Sequence, residues 1–503
     1  RIPLKSSPQI RHANALRLDW NEVLPAERCS YVLGNPPFLG KTYQSKEQKA
    51  DLAAVMHGIH GAGDLDFVCG WYVLAARYTK SATPCHAGLE PASMPLCAFV
   101  STNSITQGEQ VAVLWGEMQR LGMHTHFAHR TFQWTNEASG KAAVHCVIVG
   151  FGPENQAVKT IYEYEDIKGL PHAVPAKRIN AYLVDAPDVL LNKRTTPICG
   201  VNAMANGGKA TDGGNLLLSD EEKDALIAVE PKAANWIRPF LMGDEFINNV
   251  GRWCLWLVNI PPAELRAMPH VLKRVEGVRA MREASTKAAT VALADTPTLF
   301  GEIRQPKSKR YLAIPKVSSE RRQFIPIGYL DSEVICGDKI FFVDDASLLT
   351  FGVLTSTMHN AWMRQTCGRL ESRYSYSNTI VYNNYPWPGF AGEALSDKHR
   401  TAIEQAAQCV LDARAQFASS SLADLYDPLT MPPALLKAHQ KLDTAVDAAY
   451  QPSGGKKTYA SDAERVAFLF ELYQRITSLL PAPVAKKNGN PNESLKPDRK
   501  KAK

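Results

Sequence analysis

The 503-residue sequence contains no closely spaced cysteine pair and no long apolar run. Its ten cysteines occur singly, without any Cys-x-x-Cys pair, which argues against a disulfide scaffold and a cysteine-based zinc site. No apolar stretch reaches the roughly 20 residues that a membrane-spanning helix needs, and nothing at the start resembles a signal peptide. These absences predict a cytoplasmic protein with reduced thiols and no membrane partner.

A metal site is not expected either. His124, His126 and His129 lie close together in the sequence, but no cysteine or carboxylate at ligand spacing accompanies them. We therefore predict that the protein holds no metal.

The net charge of +7 arises mostly from the C-terminal end. Residues 486 to 503 contain seven Lys or Arg against Glu493 and Asp498, which predicts a disordered basic tail at 483–503. The remainder is nearly balanced, so the overall charge is weak evidence for DNA binding. A basic cluster between 304 and 322 is better evidence, because such a stripe can neutralise several phosphates. A solvated face without a partner is the alternative. The candidates for phosphate contact are Lys307, Lys309, Arg310, Arg321 and Arg322.

The most informative motif is Asn35-Pro36-Pro37-Phe38, which directly follows the apolar run 31–34. That run predicts a buried parallel strand, and a Pro-Pro turn at its carboxyl end projects polar atoms into the crevice where open α/β sheets bind ligands. The Asn35 side-chain oxygen and the Pro36 carbonyl can each accept an N–H of an exocyclic amine, which aims the nitrogen lone pair at an electrophilic methyl group. Phe38 can stack on an extruded base. An ordinary strand-terminating turn is the alternative.

The pattern of apolar residues divides the chain into regions. Residues 1 to about 165 alternate strands (31–34, 96–101, 144–151) with helices (including 45–56 and 67–78), as expected for a parallel sheet. A Pro-punctuated connector follows. Short strands at 253–258, 311–315 and 339–343 then indicate an α+β module. Beyond residue 392 the apolar residues recur at helical spacing, and one predicted stripe contains Ile403, Ala406, Val410 and Phe417.

This order of segments resembles the DNA amino-methyltransferases that use S-adenosylmethionine, specifically gamma-class N6-adenine enzymes of the type IIG/IIL (MmeI-like) restriction-modification family. Residues 12–20 are similar to the family's strand before the catalytic motif, and residues 96–107 to its next strand and polar loop. Residues 131–134 and 142–151 are similar to the segment that supplies a second aromatic face. Residues 373–380 and 385–388 resemble the end of the target-recognition domain.

The resemblance implies a role for individual residues. Asn35, Pro36, Pro37 and Phe38 would form the catalytic set, and Phe132 or Trp134 would complete a sandwich around the flipped base. The cofactor adenine would be bound by Asn14, Ala15 and Leu16 together with Asn35. DNA would be contacted by Arg373, Tyr374 and Tyr376, for which buried tyrosines beside a structural arginine are the alternative.

The implied fold is α/β, with a partial Rossmann-like S-adenosylmethionine-dependent methyltransferase sheet, then an α+β target-recognition domain and a C-terminal helical region. The expected limits are 1–165 for the partial catalytic domain, 166–200 for a connector, 201–390 for recognition, 391–482 for the helices and 483–503 for the tail.

The expected reaction is methyl transfer to adenine N6 in a specific DNA duplex after base flipping, in restriction-modification or related phage defence. The family's Gly-rich turn and ribose-binding acid should precede Asn14, and neither is present. We therefore expect a missing N-terminal region, in the same or a separate chain. A catalytically inert DNA-recognition fragment or subunit is one alternative. A protein-glutamine methyltransferase is another, although it would not need so large a recognition domain.

Overall fold

The computed structural model describes residues 9–82, 94–134, 144–390 and 394–479. In these four segments, no helix is long and apolar enough to cross a membrane. The predicted basic tail at 483–503 lies outside them.

The described residues up to Ala176 build a six-stranded sheet flanked by helices. The strands are β1 (Tyr31–Gly34), β2 (Leu96–Thr102), β3 (His124–Trp134), β4 (Val144–Gly152), β5 (Lys159–Glu163) and β6 (His172–Ala176). The helices are α1 (Lys46–Val55), α2 (Cys69–Ser81) and α3 (Gln110–Arg120). A capping box formed by Ser45 and Gln48 starts α1. The strands predicted at 31–34, 96–101 and 144–151 and the helices predicted at 45–56 and 67–78 are confirmed to within a few residues.

The strand order is β1-β2-β4-β3-β5-β6. β1 is parallel to β2 and β3 is parallel to β5, whereas β4 is antiparallel to both β2 and β3, and β6 to β5. The expectation of a parallel sheet is therefore wrong, because the sheet is mixed. The short segment between β3 and β4 permits an antiparallel pair, whereas parallel neighbours need a longer crossover. β6 falls within the predicted connector 166–200, so part of that connector belongs to the sheet.

Helix α2 packs against one face of the sheet through an aromatic cluster. The Tyr72 ring lies 5.3 Å from that of Phe99 and 5.4 Å from that of Phe151. β1 lies at the edge of the sheet, where Tyr31 is 66% and Leu33 is 72% exposed. The expectation that β1 is a buried strand is therefore wrong for the face that carries Tyr31 and Leu33, because β2 is the only strand that pairs with β1 among the described residues.

Residues 204 to 375 form three small sheets with helices around them. The strands are β7 (Met204–Asn206), β8 (Leu217–Leu218), β9 (Ile237–Leu241), β10 (Trp253–Leu255), β11 (Arg310–Pro315), β12 (Val317–Ser318), β13 (Gly328–Asp331), β14 (Ile335–Cys336), β15 (Ile340–Asp344), β16 (Gly368–Leu370) and β17 (Arg373–Ser375). The sheet orders are β14-β9-β10-β8, β13-β11-β15-β7 and β12-β17-β16. The helices are α4 (Asp220–Val229), α5 (Gly243–Asn248), α6 (Pro262–Arg266), α7 (Pro269–Glu283), α8 (Ala288–Val291), α9 (Leu348–Thr355) and α10 (Thr357–Thr366), and a π-helical turn follows at Asn378–Tyr382.

Helices dominate the last described segment, as predicted. They are α11 (Asp397–Ala415), α12 (Leu422–Leu425), α13 (Pro433–Tyr450) and α14 (Asp462–Leu479). Gly352 of α9 lets α11 approach closely, because a Cβ atom at Gly352 would lie 2.8 Å from the Cγ2 atom of Ile403. Ile403 and Val410 are buried in the resulting core. These helices therefore support the preceding α+β region through direct core packing.

Candidate functional site

Four strands of the first sheet end at one edge, which we call the carboxyl edge. β1, β2, β3 and β5 run in the same direction because β4 reverses between β2 and β3. The tetrapeptide 35–38 follows β1, and Phe132 and Trp134 lie at the end of β3. Phe132 pairs with Cys146, which pairs in turn with Thr102 at the end of β2. The predicted catalytic and base-stacking residues therefore lie along the same edge.

The four residues of the tetrapeptide differ in exposure. Asn35 and Pro37 are exposed, Pro36 is buried, and Phe38 is half-buried against the core. No hydrogen bond from another described residue engages the Asn35 side chain or the Pro36 carbonyl. Both acceptors therefore lack a partner within the described part of the chain.

Buried polar side chains hold the chain that follows the tetrapeptide. Asp66 is 4% exposed and accepts hydrogen bonds from the backbone N–H groups of Leu39 and Val68. Burial raises the pKa of Asp66, although backbone hydrogen bonds oppose this shift. The Gln44 amide donates to the carbonyls of Leu39 and Leu65 at 2.9 and 3.0 Å. These contacts fix the loop immediately after Phe38 and so limit the freedom of the tetrapeptide.

The segment around Asn14 folds differently from the expectation. The Asn14 side-chain oxygen accepts from the Leu16 N–H at 3.0 Å, and the Asn14 carbonyl accepts from the Arg17 N–H at 3.0 Å. These two bonds make a turn, so the strand expected within 12–20 is wrong. The Asn14 amide also donates to Asp51 at 2.7 Å. Sequence reasoning missed Asp51, which lies 37 residues away in the chain.

The three predicted cofactor residues around Asn14 differ in accessibility. Asn14 is exposed and Ala15 is half-buried, whereas the Leu16 side chain is only 7% exposed. Leu16 packs closely on α2, because a Cβ atom at Gly70 would lie 3.0 Å from its Cδ2 atom. The core therefore covers the Leu16 side chain, and a role for Leu16 in cofactor binding stays a prediction.

Phe132 belongs to a group of rings that extends onto β5. The Phe132 and Tyr164 rings are stacked with centroids 5.3 Å apart, and the Tyr164 hydroxyl hydrogen-bonds His129 Nδ1 at 2.9 Å. Trp134 is 39% exposed, with its ring centroid 6.1 Å from that of Phe132. Sequence reasoning missed Tyr164. The alternation of aromatic residues at 162 and 164 was the available signal.

The five basic candidates do not form one uniform stripe. Lys307 and Lys309 are exposed just before β11. The Arg310 guanidinium lies 3.6 Å from the centre of the Tyr329 ring, and Arg321 lies 3.9 Å from an Asp427 carboxylate oxygen. Arg322 is half-buried, and burial lowers its pKa. Four of the five candidates are therefore exposed and Arg322 is half-buried, and their contact with phosphates stays a prediction.

Strands β16 and β17 form a hairpin that presents Arg373 but not the two predicted tyrosines. Arg373 is exposed, and its guanidinium lies 2.9 Å from a carboxylate oxygen of Glu371, which has a φ of 58°. Tyr374 is 8% exposed beneath Arg369, and Tyr376 is 5% exposed with its hydroxyl 3.1 Å from His359 Nε2. Both tyrosines are therefore buried, as in the alternative of buried tyrosines beside a structural arginine, and their contact with DNA stays a prediction.

Comparison with known proteins identifies the family. Three family models match: the DNA-methyltransferase domain of MmeI at residues 1–163, its target recognition domain at 185–389 and its C-terminal domain at 395–481. The chain belongs to the MmeI family.

Two similar proteins show how much of its relatives' length the chain covers. DNA methyltransferase A of Bacillus subtilis (strain 168) is 36% identical over 478 residues, which are 95% of this chain and 51% of that protein. The structure of the type IIL restriction-modification enzyme MmeI in complex with DNA is 52% identical, with a TM-score of 0.83, and the match covers 95% of this chain and 61% of that one. The chain thus spans between half and two thirds of the length of these relatives.

Proposed function

We propose that this MmeI-family chain contributes to S-adenosylmethionine-dependent methylation of adenine N6 in a specific DNA duplex, in restriction-modification or related phage defence. Two hydrogen-bond acceptors support this proposal most, the Asn35 side chain and the Pro36 carbonyl, because no described residue donates to either. They lie at the carboxyl edge, on a loop that Asp66 and Gln44 hold by hydrogen bonds. MmeI has been solved with DNA, and its family models match all three regions of this chain. We expect the enzyme to act in the cytoplasm.

The residues of the chain would act by binding and orientation. Asn35 and the Pro36 carbonyl accept the two N–H groups of the amine and direct its lone pair towards the methyl group. Phe38 on one side and Phe132 or Trp134 on the other hold the extruded base by stacking. Pro37 keeps the turn rigid. The new N–C bond would replace the methyl–sulfur bond of the donor, which would leave as a neutral thioether, and the amine would lose one proton to water. No covalent enzyme intermediate is needed.

The chain fits the adenine end of the proposed cofactor. The exposed Asn14 side chain retains acceptor capacity, and no described residue accepts a hydrogen bond from the Ala15 N–H. Together they offer the acceptor and donor that an adenine edge requires. S-adenosylmethionine supplies the electrophilic methyl group when bound. We propose that Asn14, the Ala15 backbone and Asn35 bind this cofactor, with the Leu16 side chain supporting the turn from the core.

The methylated product tests the proposed reaction. We expect a protein extended upstream to the length of its relatives to transfer the labelled methyl group of S-adenosylmethionine to duplex DNA. After enzymatic digestion, mass spectrometry of the nucleosides should show N6-methyladenine. Labelled N4-methylcytosine, or label in protein glutamine with none in DNA, would contradict the proposed substrate.

Cofactor binding tests the proposal that a further region completes the site. Because neither a Gly-rich turn nor a ribose-binding acid precedes Asn14 in this sequence, we expect the 503-residue chain to bind S-adenosylmethionine at least about tenfold more weakly than a chain with the upstream region. Isothermal titration calorimetry of both proteins measures the difference. Equal, tight binding would show that the cofactor site is complete within the present chain. If neither protein binds S-adenosylmethionine but both still bind DNA, the alternative of a catalytically inert DNA-recognition subunit would be favoured.

We further propose that the functional regions follow the limits expected from the sequence, with catalysis in 1–165, DNA recognition in 201–390 and support from the helices of 391–482. Exposed Lys307 and Lys309 are proposed to contact phosphates, with a smaller contribution from Arg310, Arg321 and Arg322. Arg373 is proposed to reach base edges from the hairpin. The family-model ranges support this division.

A further inference from the structure

The loop after β2 and the root of the recognition hairpin touch through their backbones. The Gly108 N–H donates to the Thr366 carbonyl at 3.1 Å. A Cβ atom at Gly108, which has a φ of +63°, would lie 3.2 Å from the Cα atom of Gly368. Only a residue without a side chain permits this approach in a left-handed conformation. Gln107 precedes Gly108 and Arg369 follows Gly368, so the contact brings these two residues to the same place in the fold.

A polar cavity of about 310 Å³ lies at this contact. The ends of β3 and β5, helix α10 and the hairpin root all contribute to its walls. Tyr164, which stacks on Phe132, and Tyr374 line it together with Gln107 and Arg369. The cavity therefore lies between the ring proposed to hold the target base and the hairpin that carries Arg373.

Two buried polar atoms of the cavity lining have no hydrogen-bond partner within the described part of the chain. They are the Gln107 Oε1 acceptor and the Arg369 Nε donor. Gln107 is only 7% exposed. An unmatched buried acceptor and an unmatched donor that line the same cavity are costly, because each loses its water without gaining a partner. Gln107 and Arg369 both line the cavity, so one ligand can serve both.

The remaining charges around the cavity are largely compensated. Arg130 pairs with Glu163 at 3.0 Å and also donates to Gln365 at 2.8 Å. Arg364 pairs with Asp462 at 2.6 Å. Among the arginines that line the cavity, Arg369 alone has no carboxylate partner in the described segments. Two carboxylates at the wall disfavour a phosphate, and a phosphate diester could not donate to Gln107 Oε1.

We propose that this cavity binds a nucleobase displaced from the DNA duplex, with Gln107 and Arg369 reading its edge. A base edge carries both a donor for Gln107 and an acceptor for Arg369, and glutamine and arginine are the side chains that most often pair with purine edges. Tyr164 adds a flat surface for stacking. The proposal rests on the proposed function, because a base must leave the duplex to reach a glutamine this deeply buried.

Selection from a randomised DNA duplex pool, followed by sequencing, tests the proposal on the 503-residue chain. Gln107→Met keeps the side-chain length but removes the amide. We expect it to lose the preference at one position of the selected sequence and to bind the wild-type consensus about tenfold more weakly. Gln107→Glu should lose the same preference, because its carboxylate can pair directly with Arg369. Gln408→Met, an exposed site on α11, is the matched control and should select the wild-type consensus.

A second measurement establishes whether the base enters the cavity. With 2-aminopurine at the affected position, wild-type binding should raise the fluorescence as the base unstacks, and Gln107→Met should lose most of this rise. An unchanged consensus for both Gln107 variants would overturn the proposal and indicate that the cavity holds ordered water only. A uniform loss of binding with a lowered melting temperature would also overturn it, since that result indicates interface damage. If the wild type selects no consensus, the proposed function fails as well.

Discussion

Replacement of Asn35 by alanine is expected to lower the rate of methyl transfer by about a hundredfold or more, with little effect on the binding of DNA or S-adenosylmethionine. The substitution removes a preorganised acceptor that acts most strongly when the amine develops positive charge, so the loss falls on the chemical step. Single-turnover methylation with radiolabelled S-adenosylmethionine, in a protein of the relatives' full length, measures the rate. Fluorescence anisotropy checks DNA binding in the same samples.

Two further variants make the Asn35 result specific. Asn35→Asp keeps an acceptor oxygen at the same position, so it should retain a rate within about tenfold of the wild type. Asn155→Ala changes an exposed asparagine after β4, at the opposite edge of the sheet, and should leave the rate unchanged. Near-normal turnover by Asn35→Ala would remove Asn35 from the active site.

Local patterns predicted much of the first region. The run 31–34 and its Pro-Pro turn are determined by neighbours in the sequence, and β1 ends at Gly34 as predicted. The helix predicted at 45–56 appears as Lys46–Val55, because Ser45 and Gln48 form a local capping box. Helical spacing likewise predicted Ile403 and Val410 on the buried face of α11, whereas Ala406 is half-buried and Phe417 lies beyond the helix. These features depend on contacts within a few residues.

Strand direction and side-chain exposure depend on contacts with residues that are distant in the chain, so local sequence patterns were not sufficient to predict them. The apolar run 144–151 predicted a strand, but nothing within it shows that it runs antiparallel to β2 and β3. Tyr376 was predicted from the sequence to contact DNA, yet its hydroxyl lies within hydrogen-bonding distance of His359 Nε2 in the interior. A tyrosine beside an arginine has the same local pattern at a DNA surface and in a core, so only the fold distinguishes the two.

The least predictable parts of the site are those formed by residues far apart in the chain. Asp51 accepts from Asn14 across 37 positions, and Gln365 accepts from Arg130 across 235. The cavity near Gln107 exists only because the loop after β2 meets the hairpin root. A sequence pattern read along one segment contains no signal for such contacts.

The second large effect is expected from Arg373, in the hairpin that β16 and β17 form. Arg373 is exposed near the hairpin turn, and among the described residues its ion pair is with Glu371, whose side chain is itself 79% exposed. An exposed ion pair contributes about 0–1 kcal/mol and is easily exchanged for a DNA contact. A guanidinium that instead pairs with the edge of guanine contributes about 1–3 kcal/mol to base discrimination. The sequence preference of the protein should therefore depend on this side chain.

We expect Arg373→Ala to lose discrimination at one base-pair position by about tenfold or more, as measured by anisotropy with the preferred duplex and single-position variants. Arg373→Lys should lose the same discrimination while it keeps the non-specific affinity, because lysine retains the charge but not the bidentate geometry. The contrasting control is the double variant Lys307→Gln and Lys309→Gln. It should weaken all duplexes alike and reduce the salt dependence, since phosphate contacts carry no sequence information. Unaltered discrimination in both Arg373 variants would place base reading elsewhere in the recognition region, whereas an unaltered salt slope in the lysine variant would make that surface a solvated face.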